Sequence, residues 1–286
     1  MLRQYLINIL DLIRFNKPVG TLLLLWPTLT GLWFASNGTP SLRLVLTFVV
    51  CTFLSRSAGC CFNDIVDRKI DGHVKRTLAR PLVTGRLSVS KAISTGIALL
   101  ILSFILIIWL PVKVWMLAVV AVILMITYPF TKRLLKIPQA YLGICFGFGI
   151  PMTYEAVQNQ IPKACILMWI ASSLWTLSYD TIYAMVDRDD DIAIGIESSA
   201  LFWGSLDLLF VNCCGFMSII VWALAGFYSG ARLVFYLGLI MAGAVMMYLF
   251  NIITSRSRSH CLYAFTKNHW IGFIIFISTV ANFILY

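Results

Sequence analysis

The chain has 286 residues, 60% of them hydrophobic and only 12% charged, with a formal net charge of +10. A soluble domain carries about a quarter charged residues, so composition excludes an ordinary soluble enzyme. The positive charge lies in the connections between apolar runs, which argues for membrane topology and against nucleic-acid binding.

Residues 1–17 open with MLRQYLINILDLIRFN. The apolar stretch is short and is interrupted by Asp11 and Arg14. It reads as an interfacial amphipathic helix and not as a secretory signal. Nine apolar spans follow, near 18–37, 41–62, 91–110, 113–130, 138–158, 164–184, 203–228, 230–252 and 269–286. A spanning helix needs about 20 mostly apolar residues, and these runs lack the apolar–polar alternation of barrel strands. The fold class is therefore all-α: a polytopic membrane protein of about nine transmembrane helices, with the lipid bilayer as its surroundings. The fifth span is rich in Gly and holds Pro151 and Glu155; Gly and Pro are tolerated where helices pack closely.

Basic residues mark one side of the membrane. The N-terminal arm has Arg3, Arg14 and Lys17, and the 2–3 loop has seven Lys or Arg between Arg68 and Lys91. The 4–5 loop has Lys132, Arg133 and Lys136, the 6–7 loop Arg188, and the 8–9 loop Arg256, Arg258 and Lys267. The opposite connections hold only Arg43, Lys113, Lys163 and Arg232, and Arg56 lies within a span. The positive-inside rule then puts the N-terminus in the cytoplasm, and an odd span count puts the C-terminus outside.

Twelve acids are present, and eight of them fall within Asn63–Asp71 and Asp180–Asp191. Asp67-x-x-x-Asp71 follows the second span and Asp187-x-x-x-Asp191 follows the sixth. This echo points to two four-helix halves, 18–130 and 138–252, completed by a ninth helix at 269–286. Residues four apart share a helix face. Asn63, Asp67 and Asp71 are thus expected as one stripe, and Tyr183, Asp187 and Asp191 as another, with Asp180 just behind. Acids near membrane depth are costly and mark function by default. Oxygen ligands paired this way suit Mg²⁺ or Ca²⁺, and Mg²⁺ joins one or two carboxylates to substrate phosphates. Arg68, Arg76, Arg80, Lys132 and Arg133 sit among the acids, and arginine grips phosphate through two parallel hydrogen bonds. Acids with arginines point to an anion bridged by metal. Asp64, Asp189 and Asp190 are expected to face solvent or support the site. The eight cysteines lie mostly inside apolar runs and form no C-x-x-C, and the three histidines lack zinc-ligand spacing, so neither disulfides nor zinc are expected.

Asn63-Asp-Ile-Val-Asp67-Arg68-x-x-Asp71 resembles the first signature of the UbiA-type intramembrane prenyltransferases. Arg76-Thr-Leu-Ala-Arg80-Pro81 resembles the loop that follows it. Tyr179-Asp180-Thr-Ile-Tyr183-Ala-Met-Val-Asp187-Arg188-Asp-Asp-Asp191 is similar to the second signature, in the form of the 4-hydroxybenzoate polyprenyltransferase branch. Arg14-x-x-Lys17-Pro18, Leu24-Leu-Trp26-Pro27-Thr28 and Tyr128-Pro129-x-x-Lys132-Arg133 resemble that branch too. The resemblance implies helices around a central cavity open to lipid. Asp67 and Asp71 would face Asp187 and Asp191 across it, holding Mg²⁺ and a polyprenyl diphosphate with help from Asn63 and Arg68. Arg133 and Arg14 would hold the diphosphate or the aromatic acid. It further implies transfer of the prenyl group to the ring carbon ortho to the hydroxyl of 4-hydroxybenzoate, in ubiquinone synthesis at a bacterial inner membrane, with no obligate protein partner. One departure is Glu197-Ser198-Ser199, where the branch usually has Lys-Ser-Thr. The competing readings are a related enzyme with another aromatic acceptor and a polytopic ion or phosphate transporter.

Overall fold

The structure, a computed structural model, describes residues 2–285. Its thirteen helices are α1 (Leu2–Leu12), α2 (Val19–Ala35), α3 (Leu42–Asp67), α4 (Val89–Ile107), α5 (Val112–Thr131), α6 (Pro138–Gly147), α7 (Gly149–Gln158), α8 (Lys163–Ile194), α9 (Ser199–Trp203), α10 (Asp207–Tyr228), α11 (Leu233–Ile252), α12 (Arg258–Lys267) and α13 (His269–Ile284). No strand occurs among the described residues. Each expected span coincides with a helix or, for the fifth, with a pair. Five segments are long and apolar enough to cross a membrane by length and composition, those containing α3, α4, α5, α10 and α11.

Local chemistry sets the boundaries. Ser41, Ser88 and Ser257 accept hydrogen bonds from the backbone N–H three residues on, capping α3, α4 and α12. Gly195, at φ +70°, closes α8 in the left-handed conformation that glycine adopts without strain. The fifth span breaks at Phe148, between α6 and α7. Pro151 explains the break: it has no N–H to offer the carbonyl four residues back, and so it sits in the first turn of α7, where none is needed.

Two sequence expectations change. α3 stops at Asp67, and Asp71 opens a separate 3₁₀ turn, Asp71–His73. Asp71 is therefore not on the helical stripe of Asn63 and Asp67. Tertiary contacts place it instead: Thr77 Oγ1 donates to its carbonyl (2.7 Å) and Arg80 takes its carboxylate. The second change is α12, a helix inside the 8–9 connection.

α8 runs through the centre of the bundle. Its Met168, Trp175, Tyr179 and Ile182 are buried with Trp222 of α10, Phe235 and Met246 of α11, and Ile271 of α13. A second apolar cluster joins α2, α3 and α13 through Leu32, Phe48 and Phe276. Large apolar side chains cover the outside of α4 and α5, as with Ile105 and Met116. In water such a surface would associate; facing lipid it is an ordinary solvated face.

Glycines let α6 and α8 approach. A Cβ on Gly143 would lie 2.6 Å from the Ser173 carbonyl oxygen, which is backbone and cannot swing aside. Gly143→Val should therefore overpack this contact at a cost of about 1–3 kcal/mol or more, lowering the melting temperature in detergent. Gly243→Ala, with open space around it, should leave that temperature essentially unchanged.

Candidate active site

A cavity of about 1330 Å³ enters the bundle from the basic end. Asn63, Asp67, Asp71, Asp180, Tyr183, Asp187 and Asp191 all line it, as do Arg14, Arg76, Arg80 and Lys132. α3 supplies Asn63 and Asp67, and α8 supplies Asp180 through Asp191. The two acid motifs, far apart in sequence, thus meet around one space.

The 2–3 loop crosses the mouth and ties the motifs together. Arg76 donates to both carboxylate oxygens of Asp187, Nε reaching Oδ1 at 3.1 Å, and its guanidinium lies over the Tyr183 ring at 4.5 Å. Tyr183 in turn stacks on Phe265 of α12 (4.1 Å). The Lys75 backbone N–H donates to Asp190, which Arg258 also holds at 3.0 Å. From the other side, Lys132 at the end of α5 reaches Asp67 at 2.6 Å, with Arg133 at 3.5 Å from the second oxygen.

Of the two places expected for Asp64, facing solvent or supporting the site, the structure shows the second. It is 1% exposed and pairs with Arg14 (2.6 Å) and Arg80 (3.0 Å). Arg80 also binds Asp71, so one guanidinium spans two buried carboxylates. Arg14 caps α1 by donating to the carbonyls of Asp11 and Leu12. The N-terminal helix is thereby clamped to α3. Burial pushes the Asp71 carboxyl above its ordinary value; Asp64 and Asp67 add to this effect and Arg80 opposes it.

Other expected residues fall elsewhere. Arg68 is exposed, donates to the Ile65 carbonyl, and is not part of the cavity wall. Arg133 lies behind Asp67 and outside the lining. Arg188 turns away to Asp207, which Arg256 also binds, and this buried ion network anchors the start of α10. Asp189 is exposed, as expected. Glu197 is exposed at the cavity rim.

The sequence pattern of the UbiA prenyltransferase family matches residues 24–279. The chain belongs to the UbiA prenyltransferase family. It is 45% identical over 274 residues to the 4-hydroxybenzoate octaprenyltransferase of Paraburkholderia phymatum, covering 96% of each chain. It is 46% identical over 276 residues to that of Ralstonia nicotianae, covering 96% of this chain and 94% of the relative. The fold is similar to a UbiA homolog from Aeropyrum pernix K1 (TM-score 0.81, 22% identity, 91% of this chain and 97% of that one). It is also similar to a UbiA homolog from Archaeoglobus fulgidus bound to GPP and Mg²⁺ (TM-score 0.70, 20% identity, 94% and 99%).

Within this UbiA family member, among the described residues, no three His, Cys, Asp or Glu side chains converge into a ready-made metal cage. The donor set nevertheless fits a cation shared with a substrate. The buried Oδ1 of Asp67 has no hydrogen-bond partner, and Asp191 holds no ion pair among the described residues. Mg²⁺ typically takes only one or two carboxylates, filling its other positions with phosphate and water.

Sequence reasoning passed over Arg56. It lines the cavity, its Nη1 donates to Cys60 Sγ at 2.8 Å, and its buried Nε lacks a partner. A signal was available: Arg56, Cys60, Asn63 and Asp67 recur at helical spacing and so share one face of α3. At 1.5 Å per residue, Arg56 lies about 10 Å deeper than Asn63.

The Asp64 cluster makes a sharp prediction. Asp64→Ala removes the shared counter-ion of two arginines, a change that costs about 3–5 kcal/mol when a buried pair is broken from one side. Thermal unfolding in detergent should show a large drop, and an unchanged melting temperature would remove the structural role assigned to this cluster.

Proposed function

We propose that the chain transfers a polyprenyl group from polyprenyl diphosphate to 4-hydroxybenzoate, at the ring carbon ortho to the hydroxyl, releasing diphosphate. The observation that supports this most directly is the single cavity in which two acid motifs, an overlying basic loop and a deeper arginine come together. The relatives bearing the 4-hydroxybenzoate octaprenyltransferase name match almost the whole chain, including both motifs, and this favours that acceptor over other aromatic acids. The reading places the protein in a bacterial inner membrane, N-terminus in the cytoplasm, in ubiquinone synthesis.

In this reading Asp67, Asp71, Asp187 and Asp191, with Asn63, hold Mg²⁺ against the diphosphate. Mg²⁺ when bound supplies Lewis-acid neutralisation of the leaving group. Arg76, Arg80 and Lys132, now paired with carboxylates, stand where the diphosphate oxygens arrive and stabilise the charge that builds on them. The allylic C–O bond breaks, its electron pair leaving with the diphosphate. The phenol ring attacks the resulting carbocation, a C–C bond forms, and the same ring carbon loses its proton. Arg56 is assigned to the acceptor's carboxylate: it is a cation deeper in the cavity than the acid motifs, with an unused donor. Tyr183, under Arg76, supports that guanidinium and presents its ring to the cavity. The surrounding apolar helices exclude water that would otherwise capture the cation.

The test is label transfer from radiolabelled 4-hydroxybenzoate into organic extract, in detergent, with a long-chain polyprenyl diphosphate and Mg²⁺. Asp67→Asn and Asp191→Asn should each lose about 100-fold or more, and EDTA should abolish transfer until Mg²⁺ is restored. Near-wild-type rates in either folded variant would contradict the metal role. Arg56→Ala should raise the KM for 4-hydroxybenzoate about tenfold or more, the worth of one charged hydrogen bond, while the KM for the diphosphate moves little. A KM shift confined to the diphosphate would instead assign Arg56 to the leaving group.

A further inference from the structure

α12 has 10 residues, too few to be stable as an isolated helix, and it is tied to the bundle at both ends. Arg256, two residues before it, reaches the buried Asp207 at the start of α10 (2.7 Å). Asn268, where it ends, accepts a hydrogen bond from Trp175 Nε1 of α8 (3.3 Å). Between these ties, Cys261 and Ala264 are fully buried in the core cluster that α8 runs through. Arg258, Cys261, Ala264, Phe265 and Asn268 recur at helical spacing and so form one stripe. That stripe carries two side chains, Arg258 and Phe265, that core packing does not account for.

Both lead to Arg76. The first route is polar. Arg258 Nη1 donates to Asp190 Oδ2 at 3.0 Å, and the same oxygen accepts the Lys75 backbone N–H at 3.2 Å. Asp190, a buried residue, thereby fixes the backbone one residue before Arg76. The second route is aromatic. Phe265 stacks on Tyr183 with ring centroids 4.1 Å apart and planes 23° apart. The Arg76 guanidinium lies over that tyrosine ring at 4.5 Å. One route holds the chain that carries Arg76, and the other gives its planar head a surface to lie on.

Arg76 has need of both. It sits in the 2–3 loop, between the Asp71–His73 turn and α4, where no helix fixes the chain. Its ion-pair partner, Asp187, is a carboxylate that the proposed function gives to the cation, so that pair is not what aims Arg76 at a bound diphosphate. The contacts through Asp190 and Tyr183 use no side chain assigned to metal. Arginine grips phosphate through a planar fork, and a misplacement of about 1 Å at a reacting site can cost about 100-fold.

We propose that α12 is a positioning element for the leaving group: through Arg258 and Asp190 on one route, and Phe265 and Tyr183 on the other, it sets the place and the plane of the Arg76 guanidinium that receives the diphosphate. This rests on the diphosphate reading above and adds what aims the arginine. Arg258, Asp190 and Phe265 are positioning residues, acting through Arg76. Asp190 therefore differs in work from Asp187 and Asp191 on either side of it, although all three belong to one acid motif.

The test is a pair of mutant cycles on the full-length protein in detergent. The readout is the dissociation constant of geranyl S-thiolodiphosphate, a non-reacting analogue, with Mg²⁺ present. Asp190→Ala and Phe265→Leu should each weaken binding about tenfold, the worth of one charged hydrogen bond. Each should change it by less than about twofold once Arg76 is already alanine, because residues that act through a shared partner are not additive. Phe265→Tyr, which keeps the ring, should bind as wild type does. A loss that persists undiminished in the Arg76→Ala background overturns the positioning role, since damage to the fold would weaken binding whatever stands at position 76. Wild-type affinity in both folded single variants overturns it as well. Wild-type affinity in Arg76→Ala itself would overturn the diphosphate reading, and the proposal with it. Should Asp190→Ala not fold, the Phe265→Leu cycle decides alone.

Discussion

Everything at the mouth of this bundle depends on neutralising carboxylates at the edge of a membrane. An ionised acid removed from water is held only by a nearby opposite charge with its hydrogen bonds satisfied. The structure meets this demand with residues from distant segments: Arg14 from the arm, Arg76 and Arg80 from the 2–3 loop, Lys132 from the end of α5, and Arg258 at the start of α12. The loops are therefore not slack connections. Each is pinned to an acid, and the pins draw α1, α3, α5, α8 and α12 to one place.

The same pairing involves the acids and bases that the proposed function assigns to metal and diphosphate. Arg76 compensates Asp187, and Lys132 compensates Asp67 through one oxygen while the other keeps no hydrogen-bond partner. On the proposed function, a diphosphate would offer these bases its oxygens, and Mg²⁺ bound with it would offer the acids a counter-charge. Asp64 differs from the other acids. It is shared by Arg14 and Arg80 and shielded from solvent, so it reads as scaffold inside a motif whose neighbours read as ligands.

Apolar runs and acid spacing made most of this legible in the sequence, because both follow from helix geometry and desolvation. The nine expected spans fall on helices, and eleven of the thirteen residues singled out, both acid motifs among them, line one cavity. What stayed hidden was decided by tertiary contact. Asp71 leaves the α3 helix because Thr77 and Arg80 fix it in a turn, and no local spacing encodes that. Arg68 carries the charge expected of a phosphate ligand but follows the end of α3 on its outer side. Arg188, inside the second motif, is committed to Asp207, a residue whose partners could not be read from one chain. Arg56 is readable in principle, since it continues the Asn63–Asp67 stripe inward; a positive-inside count leaves an arginine within a span on neither side and does not register its helix face.

The path along α3 and α8 orders chemistry by depth. Outermost are the acids and the basic loop. One tier in, Arg56 of α3 and Asp180 of α8 both line the cavity. Beyond them, among Phe48, Thr52, Leu100, Phe104, Ala118 and Val122, the cavity lining holds no ionisable group other than the cysteine Cys51. A substrate with a charged head and an apolar tail can enter this gradient in one orientation only, because reversal would bury a diphosphate among Leu100, Phe104 and Val122. Orientation is therefore settled by solvation before any specific contact forms, and the contacts at the mouth need only fix the reacting carbon to within bonding distance of the ring. Glu197 sits at the rim of that gradient, exposed, where its charge is screened by water and costs the diphosphate far less than the same charge would one turn deeper.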